Sequence, residues 1–317
     1  MDHYLGNTDT MVSEFIRSLS ELYPGKYEMM DGASSGGVLL KKGMDTDRVN
    51  LIVSNGGGCH PLSTGYVSKG MADASVNGNI RSAPSAYDIY ETARHIGSQK
   101  GYLLLYNNFM GDYLNNDLAA ELLELEQIES RLCPCTDDCL SVPKDAPRSE
   151  RTGLIGLLYL IKIGAACAEK GLSLDETYRI VAHANERISS VTVTLDFSKE
   201  EYYLGSGFSG EPPAITCTEQ FDRKSIAASV YDLLVQDLQP QPEEELVLLV
   251  SRLDQTRCEE GILFASELCR YAADRHPITQ ADAGYLTYLL DSHGFFVSVM
   301  CIDKITAPYW DGKRIVL

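Results

Sequence analysis

Three consecutive glycines directly after an apolar strand constrain this chain more than any other segment. The apolar run Val49-Asn-Leu-Ile-Val53 predicts a buried strand, and Asn55-Gly-Gly-Gly-Cys59-His-Pro61 follows it. Because glycine has no side chain, the backbone N–H groups of such a loop can close around a small polar ligand. The segment therefore predicts an α/β fold with a ligand-binding loop at the end of a strand.

The segments that follow the loop predict a strand–helix–strand unit. A helix is predicted from Ser85 or Ala86 to Ile96, with Ser85-Ala-Tyr-Asp88 as a capping pattern, and the apolar strand 102–106 comes next. This order favours parallel pairing through a crossover. Further helices are predicted at 9–23 (capped by Thr8 or Asp9), 117–130, 154–170, 173–188, 222–236, 260–273 and 279–293, and further strands at 189–195, 246–250 and 295–301.

The length of 317 residues exceeds one typical core and predicts two domains. Alternation begins at Ser189, so we place the boundary between residues 188 and 189. The fold class is therefore two α/β domains with mixed, largely parallel sheets flanked by helices. Domain 1–188 carries the glycine loop, and domain 189–317 contributes the loop Gly207-Phe-Ser-Gly-Glu-Pro212.

Charge and cysteine usage exclude several classes of function. The net charge of −18 disfavours direct binding to nucleic acid or to an anionic membrane, although it suits a basic protein partner. No apolar run reaches the roughly 20 residues of a membrane span, and the N-terminus lacks a signal-peptide pattern. Nine scattered cysteines predict reduced thiols in the cytoplasm. The cluster Cys133, Cys135 and Cys139 lacks zinc-site spacing, so we predict buried thiols and no metal.

The glycine loop and the residues after it resemble the substrate loop of the DhaK subunit family of dihydroxyacetone kinases. The family pattern is Ser-Gly-Gly-Gly-Ser-Gly-His-Glu-Pro, a small-residue spacer, and then Gly-Tyr/Phe-Val-Gly-Lys-Gly-Met. Without gaps, the matching positions are Gly56, Gly58, Pro61, Gly65, Tyr66, Val67, Lys69, Gly70 and Met71. Four more segments resemble family motifs, namely 106–115, 151–166, 205–213 and 284–311. The resemblance implies a two-domain α/β protein that forms a homodimer.

The family's chemistry lies on four positions, and three of them differ in this chain. The histidine that adds covalently to the substrate ketone corresponds to Ser209, the glycine-loop histidine to Cys59, and the substrate-binding lysine to Asn107. The aspartate is retained as Asp112, the expected general base for the attacking hydroxyl. A serine cannot form the stable adduct of an imidazole, so no covalent histidine is expected. The resemblance implies substrate binding by Gly56, Gly57, Gly58, Cys59, Asn107, Asp112 and Ser209.

Each of these polar side chains has a second interpretation that the sequence leaves open. Asp112 either faces the ligand or caps the following helix. Cys59 is either a space-filling replacement or a thiolate whose pKa the loop N–H groups lower. Ser209 either hydrogen-bonds the ligand or fills its turn. We favour a structural role for His60, since a base there would require the loop to shift by one residue, and a loop-anchoring salt bridge for Lys69.

Three functions fit these substitutions. The first is a DhaK-like protein that binds a small ketose or polyol, has lost or altered its kinase activity, and acts as a sensor or co-regulator, as DhaQ-like co-activators do with a transcription regulator. The second is the substrate-binding subunit of a dihydroxyacetone-type kinase. No phosphate loop is present, so no cofactor is expected on this chain, and ATP or ADP with Mg²⁺ would come from a DhaL-type partner subunit. The third is an assembly partner with a vestigial pocket.

Overall fold

The computed structural model describes residues 6–208, 210–287, 289, 291–313 and 315. The chain forms two compact units, and each unit takes two stretches of sequence. The first unit combines Met1–Pro134 with Leu160–Ala182, and the second combines Cys135–Tyr159 with His183–Leu317. The chain crosses between the two units after residues 134, 159 and 182, whereas the sequence predicts a single boundary between residues 188 and 189.

A single boundary between residues 188 and 189 does not account for the stretches 135–159 and 160–182, which belong to different units. The residues after Pro134 join the second unit because their backbone bonds to its strand: Ser190 N donates to Asp137 O at 2.7 Å, and Cys139 N donates to Ser190 O at 3.0 Å. The stretch 160–182 returns to the first unit, where Gly164 packs against Leu51 and Leu103. These contacts are far apart in sequence, so local patterns carry no signal for them.

The first unit contains a six-stranded mixed sheet with the strand order β1-β2-β4-β3-β5-β6. The pairs β3–β4 and β3–β5 are parallel, whereas β1–β2 and β2–β4 are antiparallel. The central strands β3 and β5 are almost wholly buried. Its elements are α1 Met11–Leu22, β1 Tyr27–Met30, β2 Gly37–Lys41, β3 Asn50–Gly57, β4 Ala74–Ile80, α2 Ala86–Ile96, β5 Tyr102–Asn107, α3 Met110–Leu125 and most of β6 Ser130–Cys135, α4 Leu157–Glu169 and α5 Leu174–Glu186.

The second unit contains a six-stranded sheet with the order β11-β10-β12-β7-β8-β9. Only the β10–β11 pair is parallel among its described strands, so the prediction of largely parallel sheets is wrong for this unit. Short turns such as the one between β7 and β8 connect antiparallel neighbours without a crossover helix. Its elements are β7 Ile188–Asp196, β8 Glu201–Leu204, β9 Ile215–Cys217, α6 Arg223–Leu238, β10 Glu245–Arg252, α7 Cys258–Ala272, β11 Ile278–Gly284 and β12 Gly294–Ile302.

Three predicted elements differ from the structure. The helix predicted at 279–293 is wrong, because Ile278–Gly284 forms β11 and pairs with β10, and tertiary pairing overrides local propensity. The helix predicted at 117–130 begins earlier, at Met110, and ends at Leu125, since Gln127 turns the chain with φ +62°. The helix predicted at 9–23 begins at Met11 with Thr10 at its N-cap instead of Thr8 or Asp9.

The structure confirms the Ser85 half of the capping pattern predicted for α2. Ser85 accepts a hydrogen bond from Tyr87 N at 3.2 Å, as the capping pattern predicts. The Asp88 carboxylate does not complete the box, because it accepts hydrogen bonds from the backbone and hydroxyl groups of Ser34 and Ser35. No disulfide bond joins any of the nine cysteines, and in the described part of the chain no helix is both long and apolar enough to cross a membrane.

Candidate functional site

The glycine loop leaves the carboxyl end of β3, and each glycine has its own reason to lack a side chain. A Cβ at Gly57 would overlap the carbonyl oxygen of Gly78, so the backbone of β4 closes directly onto the loop. Gly58 adopts φ +91°, a conformation that disfavours L side chains. A Cβ at Gly56 would lie 3.1 Å from Ser82 O. The glycines therefore satisfy close packing as well as the predicted ligand loop.

His60 and Lys69, which follow the glycine loop, have different surroundings. His60 is buried, its Nδ1 lies 3.0 Å from Thr64 Oγ1, and its ring lies 4.9 Å from that of Phe15. Burial lowers the pKa of His60 to about 4, so its imidazole is neutral at pH 7. These contacts indicate a structural role for His60. Lys69 is exposed, and the salt bridge expected there does not form with any described residue. Backbone hydrogen bonds such as Ala72 N to Tyr66 O hold that turn instead.

Two asparagines join the ends of neighbouring parallel strands. Asn107, the last residue of β5, donates its backbone N–H to Asn55 Oδ1 in β3 at 3.1 Å. Both side chains are buried, with 3% of Asn107 and 5% of Asn55 exposed. The carboxyl ends of parallel strands are where α/β sheets bind ligands, and this bond places both amides there.

Asp112 lies in the first turn of α3. Phe109 occupies the N-cap position of α3, so Asp112 is not the capping residue. Asn116 holds this turn against β3. Its Nδ2 donates to Asp112 O at 2.8 Å, and its Oδ1 accepts from Ser54 Oγ at 2.9 Å. The Gly56 backbone also hydrogen-bonds the Asp112 carboxylate. Asp112 is thereby held beside the glycine loop.

Three buried polar atoms at this place have no hydrogen-bond partner among the residues that the structure describes. They are Asn55 Nδ2, Asn107 Oδ1 and Asp112 Oδ1. Nearly all buried polar atoms in folded proteins are hydrogen-bonded, and each exception requires an explanation such as a bound molecule. We call Asn55–Cys59, Asn107 and Asp112 the glycine-loop site. It offers one amide donor and two oxygen acceptors to a ligand.

Burial makes Asp112 a base that works near neutral pH. Removal from water raises the pKa of the Asp112 carboxyl to about 7, although hydrogen bonds from the backbone of Asp112 and Gly56 oppose the rise. A general base is most effective when its pKa lies close to the working pH. Asp112 can therefore accept a proton from a hydroxyl group bound at the glycine-loop site.

Cys59 is neutral at this site. Burial of the thiol and the nearby Asp112 carboxylate raise the pKa of Cys59 to about 12, and the Arg81 guanidinium opposes this rise. The direction is opposite to the thiolate hypothesis, in which loop N–H groups lower the pKa. Arg81 follows β4, is exposed, adopts φ +58°, and donates its backbone N–H to Gly57 O at 3.2 Å. It therefore lies at the rim of the glycine-loop site.

The structure thus brings together most of the residues that the sequence identified. Gly56, Gly57, Gly58, Cys59, Asn107 and Asp112 all lie at the glycine-loop site. Ser209 lies outside the described residues. The sequence interpretation missed Asn55, Asn116 and Arg81. Asn55 could have been found as the polar residue that opens the glycine run, whereas Asn116 and Arg81 gave no local signal. Within the described residues, no group of three or more His, Cys, Asp or Glu side chains is arranged to hold a metal.

The family model and the curated relatives point to one family. Residues 19–315 match the Dak1 domain model. The chain is 30% identical to a D-erythrulose kinase of Mycolicibacterium smegmatis over 87% of this chain and 50% of that protein. It is 31% identical to the dihydroxyacetone-binding subunit DhaK of a PTS-dependent dihydroxyacetone kinase from Listeria innocua, over 77% of this chain and 81% of that subunit.

A solved structure shares the fold. The dihydroxyacetone kinase operon co-activator DhaQ superposes with a TM-score of 0.85 at 23% identity, covering 94% of each chain. The chain spans only about half the length of the first erythrulose-kinase relative, so it matches one part of that enzyme. The match over residues 19–315 and the agreement with DhaK subunits show that this chain belongs to the Dak1 domain family, with the two-unit α/β fold of DhaK proteins.

Proposed function

We propose that this chain binds a short ketose or polyol non-covalently at the glycine-loop site and acts as a sensor or co-regulator whose phosphotransfer is lost or altered. The observation that carries the proposal is the set of three unpartnered buried atoms, Asn55 Nδ2, Asn107 Oδ1 and Asp112 Oδ1. Each such atom costs about 1–3 kcal/mol when it stays unpaired. A ligand with adjacent hydroxyl and carbonyl groups donates and accepts at once, and it would pair all three.

The side chains at the site favour non-covalent binding. Cys59 stays protonated at neutral pH because burial raises its pKa to about 12, so it does not supply a thiolate to a ketone carbon. The His60 ring is held by Thr64 and Phe15. Ser209 has a hydroxyl where the resemblance expects the adduct-forming imidazole. Selection between ketone and alcohol would therefore rest on hydrogen bonds alone.

A second candidate function is a substrate-binding kinase subunit. The raised pKa of Asp112, about 7, favours it, because this base can deprotonate the hydroxyl that attacks a phosphoryl group. The relatives named as D-erythrulose kinase and as a DhaK subunit point to the same chemistry. Under this hypothesis ATP or ADP and Mg²⁺ are bound by a DhaL-type partner subunit, and none is bound by this chain.

The proposed partners follow from charge and from the solved relative. A co-activator with the same fold supports a protein partner such as a transcription regulator. The net charge of −18 suits a basic surface on that partner and disfavours direct contact with nucleic acid. We also propose a homodimer, and a reducing compartment such as the cytoplasm, in keeping with the nine cysteines that form no disulfide bond.

Calorimetric titration with dihydroxyacetone, erythrulose and glycerol tests ligand binding. We expect saturable binding of at least one of them at millimolar concentrations, and about tenfold weaker binding to Asp112→Asn, because the amide changes one oxygen acceptor into a donor. Asp47→Asn is the control, since Asp47 is exposed on another loop. No heat of binding for any of the three compounds would overturn the proposal.

Two assays separate the sensor from the kinase. Turnover with a DhaL-type subunit and Mg-ATP that Asp112→Asn abolishes would favour the kinase; binding without turnover favours the sensor. Reductive trapping with dihydroxyacetone, followed by intact-mass analysis, should give no adduct. A stable adduct mapped to residues 205–213 would show that the interpretation of Ser209 is wrong.

A further inference from the structure

The second unit contains a cavity that the glycine-loop site does not explain. It has a volume of about 470 Å³ and lies beside the carboxyl ends of β7 and β10 and the N-terminal ends of α6 and α7. Small-molecule sites commonly enclose about 300–1,000 Å³ of mostly apolar surface with a few polar groups. The cavity is therefore large enough for a ligand with an apolar body.

Apolar side chains form the floor of this cavity. The rings of Phe264 and Phe295 are stacked with their centroids 4.3 Å apart and their planes 4° apart. Ile226 of α6 packs in the same buried cluster. These three side chains are at most 5% exposed, so the floor is rigid and dry. It can hold a flat or branched hydrocarbon group.

One wall carries an aromatic side chain that the protein leaves in water. Phe197, in the turn after β7, is 62% exposed. Its ring is nevertheless held edge-on between two others, 5.6 Å from Phe221 and 5.5 Å from His293. A fixed but exposed phenyl ring gains about 1.5–3 kcal/mol when a ligand covers it fully. This arrangement prepares the ring for contact with a ligand.

The charges at the mouth favour an anion. The Asp222 carboxylate is occupied by the N–H groups of Lys224 and Ser225 at the start of α6. Glu260 is paired with Arg223 at 3.2 Å. The Glu260 charge is therefore balanced by Arg223, and the Asp222 carboxylate is taken up in the N-terminal cap of α6.

Arg257 and His293, at the mouth of the cavity, have groups available to bind a ligand. Arg257, at the N-cap of α7, forms no ion pair within 4 Å and no side-chain hydrogen bond with any residue that the structure describes. His293 makes its ring contact with Phe197, and neither of its ring nitrogens bonds a described residue. The N-terminus of α7 adds a favourable dipole for negative charge. The mouth thus offers an anion the Arg257 guanidinium and an imidazole N–H of His293.

We propose that this cavity is a second binding site, for a small monocarboxylate with an aromatic or branched apolar body. The apolar body lies on Phe264 and Phe295 beneath Phe197, and the carboxylate meets Arg257 and His293 at the mouth. The site lies wholly within the second unit, and its aromatic lining suits an apolar ligand, unlike the hydroxylated ligand proposed for the first unit.

Calorimetric titration with 4-phenylbutyrate tests this proposal, with its neutral amide, 4-phenylbutyramide, as the matched ligand. We expect Phe197→Ala to weaken 4-phenylbutyrate binding by about tenfold, since ring burial of this size is worth about 1.4 kcal/mol or more. We expect Arg257→Gln to weaken it by about threefold to fivefold, the range for a solvent-exposed ion pair. Arg257→Gln should leave the affinity for the amide unchanged.

Matched variants keep the test specific. Ile262→Ala removes a side chain that is 61% exposed on α7 but does not line the cavity, and Lys224→Gln removes a nearby cation that does not line it. Both should bind as wild type does. Asp112→Asn should also bind normally, because Asp112 belongs to the glycine-loop site. The absence of binding, equal affinity of the acid and the amide, an unchanged affinity in Phe197→Ala, or loss of binding in Asp112→Asn would each overturn the proposal.

Discussion

Three buried aspartates of the first unit differ in how fully their carboxylates are hydrogen-bonded. Asp73 is fully buried, and its oxygens accept from Lys41 Nζ at 2.5 Å, Arg48 Nη2 at 2.6 Å and Leu51 N at 3.0 Å. Asp88, 2% exposed, is surrounded by donors from Ser34 and Ser35. Asp112 is 7% exposed, yet its Oδ1 has no hydrogen-bond partner in the described part of the chain.

This difference separates a structural carboxylate from a functional one. At Asp73 and Asp88 the protein supplies dedicated donors, so each buried carboxylate is hydrogen-bonded within the fold, and that of Asp73 is also paired with two cations. At Asp112 the donors are two backbone groups, and burial raises the pKa of the carboxyl to about 7. A site that leaves hydrogen-bonding capacity unused is less stable than it could be, and a ligand can recover the difference.

Removing the structural carboxylate should have the largest effect. Asp73→Asn leaves Lys41 and Arg48 without their anionic partner in a buried setting. Breaking a buried ion pair from one side costs about 3–5 kcal/mol. We expect a loss of unfolding free energy in this range by urea denaturation. The exposed Asp47→Asn is the control, and a loss below about 1 kcal/mol for Asp73→Asn would remove the contrast with Asp112.

Removing the functional carboxylate should instead stabilise the protein at neutral pH. The pKa of Asp112 rises from 3.8 to about 7 on folding, so the folded state keeps its proton more tightly than the unfolded state. The stability of the wild type therefore falls as pH rises from about 4 to about 7. The amide introduced by Asp112→Asn does not ionise, so this variant should be more stable at pH 8 by up to about 4 kcal/mol, at about 1.36 kcal/mol per pKa unit.

Urea denaturation between pH 4 and pH 8 measures this effect. The gain in Asp112→Asn should shrink steadily as pH falls below 7, and it should be small near pH 4, where wild-type Asp112 is protonated in the folded state. The exposed Asp47→Asn should show no such pH dependence. A gain that does not change with pH would mean that the charge of Asp112 is not its cause.

Asn77 and Asn107 show the same contrast between a structural and a functional residue. Because their side chains are neutral, we expect smaller changes in the free energy of unfolding. Asn77 uses its whole amide: Oδ1 accepts from Ser63 Oγ at 2.8 Å, and Nδ2 donates to Ser75 Oγ at 3.1 Å and Gly37 O at 3.3 Å. Asn107 leaves Oδ1 unpaired. We expect Asn77→Leu to cost about 2–3 kcal/mol, and Asn107→Leu less than about 1 kcal/mol.

Ligand binding should show the reverse order. Asn107→Leu should weaken binding of the ketose that the wild type binds best by about tenfold, the effect of about 1.4 kcal/mol. Asn77→Leu should leave the affinity of the folded fraction unchanged. Equal stability losses in both variants would show that Asn107 is a structural residue.

The smallest effect is expected at Cys59. With a pKa of about 12, the Cys59 thiol is almost wholly protonated at pH 8, whereas Cys258 is exposed. Iodoacetamide should therefore alkylate Cys59 at least about 100-fold more slowly than Cys258, since only the thiolate reacts. Peptide mapping by mass spectrometry measures both rates, and urea should abolish the difference. Similar rates in the folded protein would restore the thiolate hypothesis.

The parts of the fold that could be predicted from sequence are those with strong local patterns. The apolar run at 49–53 predicted β3, and the cap at Ser85 marked the start of α2. Ile278–Gly284 was predicted as a helix because its strand character comes from pairing with β10. The exchange of segments between the two units was also missed, since it depends on bonds such as Ser190 N to Asp137 O.

The candidate site shows the same division. The glycine run and Asp112 were recognisable because the residue types and their spacing carry the chemistry. Asn116 was missed because its role arises when α3 packs on β3, which brings it to Ser54. The salt bridge expected for Lys69 does not form, since its side chain makes no ion pair with any described residue.

Residue order alone established the family, the glycine loop and the loss of the histidine pattern, because these depend only on which residues follow one another. Three-dimensional packing decided which buried groups remain unpaired, why Asp112 titrates near pH 7 while Cys59 keeps its proton, and where a second cavity opens. Desolvation and hydrogen bonding depend on atoms that are distant in sequence, and only the folded chain brings those atoms together.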